Sequence, residues 1–377
     1  MIHIVFLVSH LSGTGHLVRT LAIARAARLA GATVTVLSGG RPLKHLPTGD
    51  IDLVQLPWIA VRGRDFASPL GPDGRPADET LHAHRRDVIA ATIAARRPHV
   101  LVTETWPLGR RRLSAEYEAA IAAAKAANPA VRVAASVRDL PEPPSKPARL
   151  AEAAARLAAL VDCLLVHGDP DFLALDASWP LPADLAPRPH YTGYVAPPSV
   201  AALPSDEVVV SVGGGDLGSA LLQIAAAASA RSGRPWRLRT GGPEAAALAA
   251  DLSARHAHDG LIVEPAASDW RACLAGAAAA VTLAGYNAVI DLAQCNTPAL
   301  LVPDTTGGER EQALRAAALS GRGGIAVHRV ETLTPDILAA QADTLASGPR
   351  RPSLGLTLDG AKRSAQALLA LAEARVP

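Results

Sequence analysis

The chain has 377 residues, a length that suits two domains or three with ample buried cores. Hydrophobic residues make up 49% and charged residues 19%, which excludes a disordered chain or a coiled coil. Thirty-seven basic residues stand against 35 acidic ones, and a net charge of +2 gives no electrostatic case for binding nucleic acid.

Ile2–Val8 is a continuous apolar run and reads as a buried parallel strand. Ser12-Gly13-Thr14-Gly15-His16 follows as a turn, then a helical pattern from Leu17 to Leu29 ending at Gly31, then a strand at Thr33–Leu37 stopping at Ser38-Gly39-Gly40. Strand, glycine turn, helix and strand make a βαβ unit. The alternation continues with helices near 78–95, 113–126 and 148–160 and strands at 99–103, 131–136, 163–167 and about 190–194. The proline-rich stretch from Ala196 to Ser205 reads as a domain boundary. The same grammar then restarts: a strand at 207–212, a glycine turn at 213–219, and a helix at 220–230. Strands at 236–240, 260–264, 279–283 and 299–302 follow, with a helix after each. A final helix spans about 359–374.

This pattern predicts an α/β protein of two facing, doubly wound, Rossmann-like domains, 1–198 and 199–358, with the C-terminal helix (359–377) packing across their boundary. Ligands in such sheets bind at the carboxyl ends of strands, so the expected site is a cleft between the domains. Cys163, Cys273 and Cys295 are isolated and form neither a disulfide framework nor a zinc pair. The first residues lack the features of a signal peptide. The uncharged stretch Ala272–Ile290 is interrupted by Gly276, Thr282, Gly285, Tyr286 and Asn287. The expectation is a cytoplasmic protein without an integral membrane segment.

Two glycine turns stand at helix N-termini, where free amides and the helix dipole favour an anion. Neither meets a nucleotide fingerprint. The first has no third glycine and no acidic residue closing the second strand; the second has no Gly-Lys-Ser/Thr. His16 lies in the first turn of the first helix, with a titration range suited to a general base. Glu104 and Arg138-Asp139 stand at strand ends, as acceptor contacts or as partners that orient His16. Asp291 and Glu309 are candidate acceptors for sugar hydroxyls, and Gln312 offers both donors and acceptors. Asp169-Pro170-Asp171 has the form of a DxD metal motif but follows a first-domain strand, and reads as a loop and helix cap. Arg110-Arg111-Arg112 reads as a solvated helix start. Trp106, Tyr286 and Trp58 are the aromatics best placed to stack on a sugar.

Gly13-Thr14-Gly15-His16 with Arg19, the Gly213–Ser219 turn, Gly285–Asp291, and Pro303 through Gln312 together resemble GT-B glycosyltransferases. Among these, the chain is similar to the MurG-type enzymes of family 28, and closer still to bacterial predicted glycosyltransferases of unassigned substrate. Further landmarks of that group are His10-Leu11, Thr103-Glu104, Ser136-Val137-Arg138-Asp139, Val166-His167-Gly168-Asp169-Pro170 and Tyr191-Thr192-Gly193-Tyr194-Val195. The resemblance implies an inverting, metal-independent transfer from a nucleoside-diphosphate sugar, with UDP as the first choice of nucleotide, to a small-molecule or lipid-linked acceptor.

On that pattern, donor contacts come from Gly213, Gly214, Gly215, Gly218 and Ser219 and from Gly285, Tyr286, Asn287 and Asp291. Glu309 and Gln312 take the donor sugar. Gly13, Thr14, Gly15, Arg19 and Arg138 contact the acceptor or a phosphate, and His16, Glu104 and Asp139 form the catalytic set. No cofactor or metal is implied, nucleic acid is not a partner, and peripheral membrane association stays open. The alternative is a nucleotide-sugar hydrolase in which His16 activates water. A sugar-nucleotide epimerase and a non-catalytic sensor are more distant rivals.

Overall fold

Aliphatic runs bounded by turns build two parallel sheets in a computed structural model that describes every residue except 44–47, 62, 64, 67, 145, 214–217, 243, 309 and 375–377. The chain divides into two units, Met1–Pro197 with Thr357–Pro377, and Pro198–Leu356.

The first unit has seven strands: β1 (His3–Val8), β2 (Thr33–Ser38), β3 (Asp52–Gln55), β4 (Val100–Glu104), β5 (Arg132–Arg138), β6 (Cys163–His167) and β7 (Pro189–Tyr191). Its helices are α1 (Gly15–Leu29), α2 (Glu79–Arg96), α3 (Ser114–Ala127) and α4 (Pro147–Leu160). The second unit holds β8 (Val208–Ser211), β9 (Trp236–Thr240), β10 (Leu261–Pro265), β11 (Ala279–Thr282), β12 (Ala299–Leu301) and β13 (Ile325–Val327). Its helices are α5 (Ser219–Ser229), α6 (Ala245–Arg255), α7 (Trp270–Gly276), α8 (Tyr286–Ala293), α9 (Glu311–Leu319) and α10 (Pro335–Ser347). The last helix, α11 (Gly360–Glu373), returns to the first unit.

Strand order is β3-β2-β1-β4-β5-β6-β7 in one sheet and β10-β9-β8-β11-β12-β13 in the other. All these pairs are parallel. Both sheets therefore have the 3-2-1-4-5-6 order of a dinucleotide-fold sheet, the first with one strand added. The topological switch point lies between β1 and β4 in the first unit and between β8 and β11 in the second. Ligand-binding turns belong at those two places.

The first sheet is covered on both faces. On one face Leu7, Leu101 and Val133 pack with Ile89 and Ile93 of α2, Ile121 of α3 and Leu157 of α4. On the other, Ile4, Phe6 and Val102 pack with Leu21 and Ala24 of α1 and with Ala365 and Leu368 of α11. In the second unit Val208, Val210, Val281 and Leu300 pack on Leu222 of α5 and Leu338 of α10. Caps fix several helix ends: Asp78 accepts from the Leu81 amide at 2.8 Å ahead of α2, and Thr334 accepts from the Ile337 amide ahead of α10.

An ion pair between Arg85 and Glu116 lies inside the first core. Arg85 is fully buried and donates to both Glu116 oxygens, Nε to Oε1 at 2.9 Å and Nη2 to Oε2 at 2.8 Å. It also donates to the Gly39 and Pro57 carbonyls and to Ser9 Oγ. This contact accounts for Gly39, where a Cβ would stand 2.7 Å from the Arg85 guanidinium and 2.4 Å from Ser9 Oγ. No helix among the described residues is long and apolar enough to cross a membrane.

Candidate active site

At the first switch point the chain leaves β1, turns through Gly13 at φ 62, and enters α1 at Gly15. Thr14, the N-cap, makes no side-chain cap bond, so the first-turn amides of α1 keep their donors. Because β1 and β4 are neighbours, His16 in that first turn meets Glu104 at the end of β4. His16 Nδ1 lies 3.0 Å from Glu104 Oε1, 3.2 Å from Thr105 Oγ1 and 3.3 Å from Arg19 Nη2. Arg19, one turn further along α1, also pairs through Nη2 with Glu104 Oε1. The His16 side chain keeps 20% of its surface exposed, whereas Glu104 keeps 4%.

Protonation in this cluster follows from its charges. Burial alone would raise the Glu104 carboxyl, but Arg19, with His16 and Ser136, outweighs burial and holds it below the usual carboxylate range. A carboxylate only accepts, so His16 Nδ1 carries the proton and Nε2 carries the lone pair. Burial first, then the charge of Arg110, pushes His16 down to about 3, which keeps the imidazole neutral near pH 7.

A buried chain of hydrogen bonds continues from Glu104 into the core. Ser136 Oγ donates to Glu104 Oε2 at 2.6 Å. With that proton committed, His167 Nε2, 2.8 Å away, must donate to Ser136 Oγ. His167 Nδ1 is then the acceptor for Thr192 Oγ1 at 2.9 Å. Ser364 of α11 lies 3.4 Å from the same nitrogen, with its hydroxyl directed to the Gly360 carbonyl at 2.6 Å. Burial first, then Arg19, pushes His167 down to about 3, so it too is neutral. The donors therefore run from Thr192 through His167 and Ser136 to Glu104, which also accepts from His16 Nδ1–H, so the series converges on the carboxylate and leaves His16 Nε2 with its lone pair.

Around His16 a small pocket of about 120 Å³ is lined by Thr105, Arg110, Arg138 and Glu142. Thr105 has φ 70 and Arg110 φ 55, left-handed conformations that are uncommon outside glycine and costly for a β-branched residue. Arg110 is held there by its Nε, which donates to the Ser9 carbonyl at 2.8 Å.

In the second unit three loops follow neighbouring strands β8, β11 and β12, so they share one edge of the sheet. Gly213 (φ 77) ends the run from β8, and its amide donates to Ser211 Oγ at 3.2 Å. Gly218 (φ 86) is the N-cap of α5, which Ser219 opens. A Cβ at Gly218 would stand 2.4 Å from Val212 Cγ1, so Gly218→Ala is expected to lower stability by more than about 1 kcal/mol, read as a shifted denaturation midpoint. Gly285 is the N-cap of α8, again without a side-chain cap bond. Asn287 is exposed in the first turn of α8, and Tyr286 is buried with Arg315 5.9 Å above its ring. Asp291 lies near the end of α8, half-buried. Burial pushes it up to about 6 against the opposing pull of Arg271 and the Trp270 indole.

Gln312 Oε1 accepts from the Ala284 and Asp304 amides, both at 3.1 Å, and so ties the loop after β11 to the loop after β12. Its carbonyl is therefore committed to the backbone, and only Nε2 is left to meet a sugar. Arg315, absent from the sequence expectations, is fully buried. It bonds Glu311 Oε2 at 3.1 Å and the Ala284 carbonyl at 3.4 Å, so it supports the same corner. The i, i+4 spacing of Glu311 and Arg315 was the available signal.

Gly214, Gly215 and Glu309 lie outside the described residues. Asp139 does not join the catalytic set. It is fully buried, its Oδ2 accepts from Tyr194 Oη at 3.0 Å, and its Oδ1 accepts from the Leu140 amide. Arg138 does line the His16 pocket, whereas Gly13, Thr14 and Gly15, at the entry to α1, are not among its lining residues. Trp106 is also corrected: it is fully buried, stacked on Tyr117 at 5.5 Å, and is core rather than a sugar platform. Trp58 carries Arg41 4.7 Å above its ring. Asp169 caps a turn and not a helix, accepting from the Asp171 amide and from the Thr357 amide near the start of α11.

Residues 251–362 match the glycosyltransferase family 28 C-terminal domain. A UDP-N-acetylglucosamine–N-acetylmuramyl-(pentapeptide) pyrophosphoryl-undecaprenol N-acetylglucosamine transferase from Mesorhizobium japonicum is 37% identical over 89 residues, 24% of each chain. The match thus spans about a quarter of that relative. Among solved structures, MurG from Acinetobacter baumannii superposes over 99% of this chain and 95% of its own (TM-score 0.58, 16% identity). The spinosyn forosaminyltransferase SpnP does so over 99% and 95% (TM-score 0.62, 15% identity). The glycosyltransferase VinC, solved with dTDP, does so over 99% and 96% (TM-score 0.60, 14% identity).

Proposed function

We propose that this chain, which has the GT-B glycosyltransferase fold and carries a family 28 C-terminal domain, is an inverting, metal-independent glycosyltransferase. It takes a nucleoside-diphosphate sugar, a UDP-sugar first, and a small-molecule or lipid-linked acceptor. The observation that carries the reading is the His16–Glu104 dyad at the β1/β4 switch point, with a neutral imidazole and its Nε2 lone pair at a pocket.

In this reading the acceptor hydroxyl bonds His16 Nε2. Its oxygen attacks the anomeric carbon from the face opposite the diphosphate as the bond to the leaving oxygen breaks. The hydroxyl proton passes to Nε2, and Glu104 stabilises the imidazolium through Nδ1–H. Gly218, the first turn of α5 and the N-terminus of α8 take the growing charge of the diphosphate. Asp291 accepts from the ribose, and Gln312 Nε2 donates to the sugar.

The donor half is tested by thermal unfolding with UDP, dTDP, GDP, ADP and NAD, on the wild type and on Asp291→Asn. One nucleoside diphosphate at 100 times its Kd should stabilise the wild type by about 2.7 kcal/mol, and the gain should vanish in the variant. The unliganded variant should itself unfold at a higher temperature at pH 7.5. Asp291 titrates near 6 in the fold and near 3.8 in the free chain, so folding loses stability as pH rises through that interval. Stabilisation by NAD alone would overturn the donor assignment.

A further inference from the structure

A cavity of about 540 Å³ in the first unit shares Leu108, Gly109, Arg110 and Glu142 with the pocket of His16. Its size falls in the range of sites for drug-sized molecules. Its floor is apolar, built from the buried Leu11, Ile59, Leu113 and Trp179, and Phe66 stands at the rim with 42% of its surface exposed. Its remaining lining is unequal in charge. Among the described residues its charged lining is Arg110, Arg111, Arg112, Arg149 and Arg156 against Glu142 and Glu152. Arg156 is occupied by Glu118 and Glu152. Among the described residues Arg111, Arg112 and Arg149 have no ion-pair partner, so the charge they bring to an apolar cavity is uncompensated.

From this geometry we infer that the cavity is the acceptor site, and that the acceptor is an apolar molecule carrying one anionic group, a carboxylate or phosphate, which Arg111, Arg112 and Arg149 receive. An apolar body buries the floor and Phe66, and a guanidinium pairs with the anion through charge-assisted hydrogen bonds. The shared wall at Leu108–Arg110 brings a hydroxyl at the other end of such a molecule to His16. The arginines after Gly109, which in sequence read as a solvated helix start, thus face a cavity. The acceptor role rests on the transferase reading, while the binding preference does not.

The test is fluorescence titration of the full chain with 1-anilinonaphthalene-8-sulfonate, an apolar anion, and with neutral N-phenyl-1-naphthylamine. The anion is expected to bind at least tenfold more tightly. Arg112→Gln and Arg149→Gln should each weaken it roughly three- to tenfold and leave the neutral dye within twofold, with unfolding temperatures unchanged. Phe66→Ala should weaken both dyes. Equal affinity for the two dyes, or an anion affinity indifferent to both arginine variants, would overturn the inference.

Competition by deoxycholate and by farnesyl pyrophosphate then separates a soluble carboxylate from a lipid phosphate, and displacement by neither would also overturn it. A final arm offers a hydroxylated apolar carboxylate and its methyl ester as acceptors with the donor nucleotide sugar. Preference for the acid supports the inference. If the dye results hold and neither compound is glycosylated, the anion-binding cavity stands and the transferase reading fails.

Discussion

Replacement of His16 by alanine is expected to lower kcat by about 10²–10⁴-fold, the usual contribution of a positioned base. The KM for the donor should change little, because the segments assigned to the donor belong to the second unit. Glu104→Gln should give a loss of the same order. The amide keeps the shape but removes the charge that fixes the His16 tautomer and stabilises the imidazolium. Initial rates at saturating donor measure both variants. Full activity in His16→Ala would remove the base from the account. His167→Phe offers a finer probe. It breaks the donor to Ser136, so kcat should fall and its pH profile should shift, with KM unaltered.

The largest effect on stability is expected at Glu116. Glu116→Ala leaves the fully buried Arg85 without its counter-charge, and loss of one partner from a buried pair costs about 3–5 kcal/mol. The remaining carbonyl bonds of Arg85 satisfy its donors but not its charge. Urea unfolding should show the midpoint falling with little change in slope. The double replacement Arg85→Leu with Glu116→Leu should recover much of the loss, and a midpoint within experimental error of wild type in Glu116→Ala would contradict this description of the core.

The same groups set the response to acid. His16 and His167 titrate near 3 in the fold and at 6.5 in the free chain, so the unfolded chain binds the extra protons between those values. Stability should therefore begin to fall as pH drops below 6.5. It should fall more steeply below about 4.5, where Glu104, held low in the fold by Arg19, and Glu116, held low by His82 and Arg85 against the opposing effect of burial, protonate in the unfolded chain. Activity should have no acid limb from His16 itself above pH 5. A stability maximum below pH 5 would contradict the assignment of these groups.

Much of the fold was legible because strands buried on both faces read as continuous apolar runs, as in Ile4–Val8 and Val208–Val210. β3 and β13 were not anticipated. They are four and three residues long at sheet edges, and β3 carries Asp52 and Gln55 exposed at its two ends. His16 stood out through its place after a glycine turn, and Glu104 through its place at a strand end. The extension through Ser136, His167, Thr192 and Ser364 was hidden, since Ser364 and His167 are 197 positions apart and only the return of α11 to the first unit unites them. Asp139 illustrates the opposite error. A carboxylate at a strand end reads as a site residue, but the side chain turned inward to Tyr194, and neither spacing nor composition reports that choice.

The measurement that tests the central reading most directly follows the anomeric proton by nuclear magnetic resonance while the full chain acts on its nucleoside-diphosphate sugar in the presence of acceptor. The account predicts that the donor signal is replaced by one glycoside signal of opposite anomeric configuration, and that His16→Ala suppresses the change. A glycoside of retained configuration would contradict the single displacement, and free reducing sugar without any glycoside would make the chain a hydrolase.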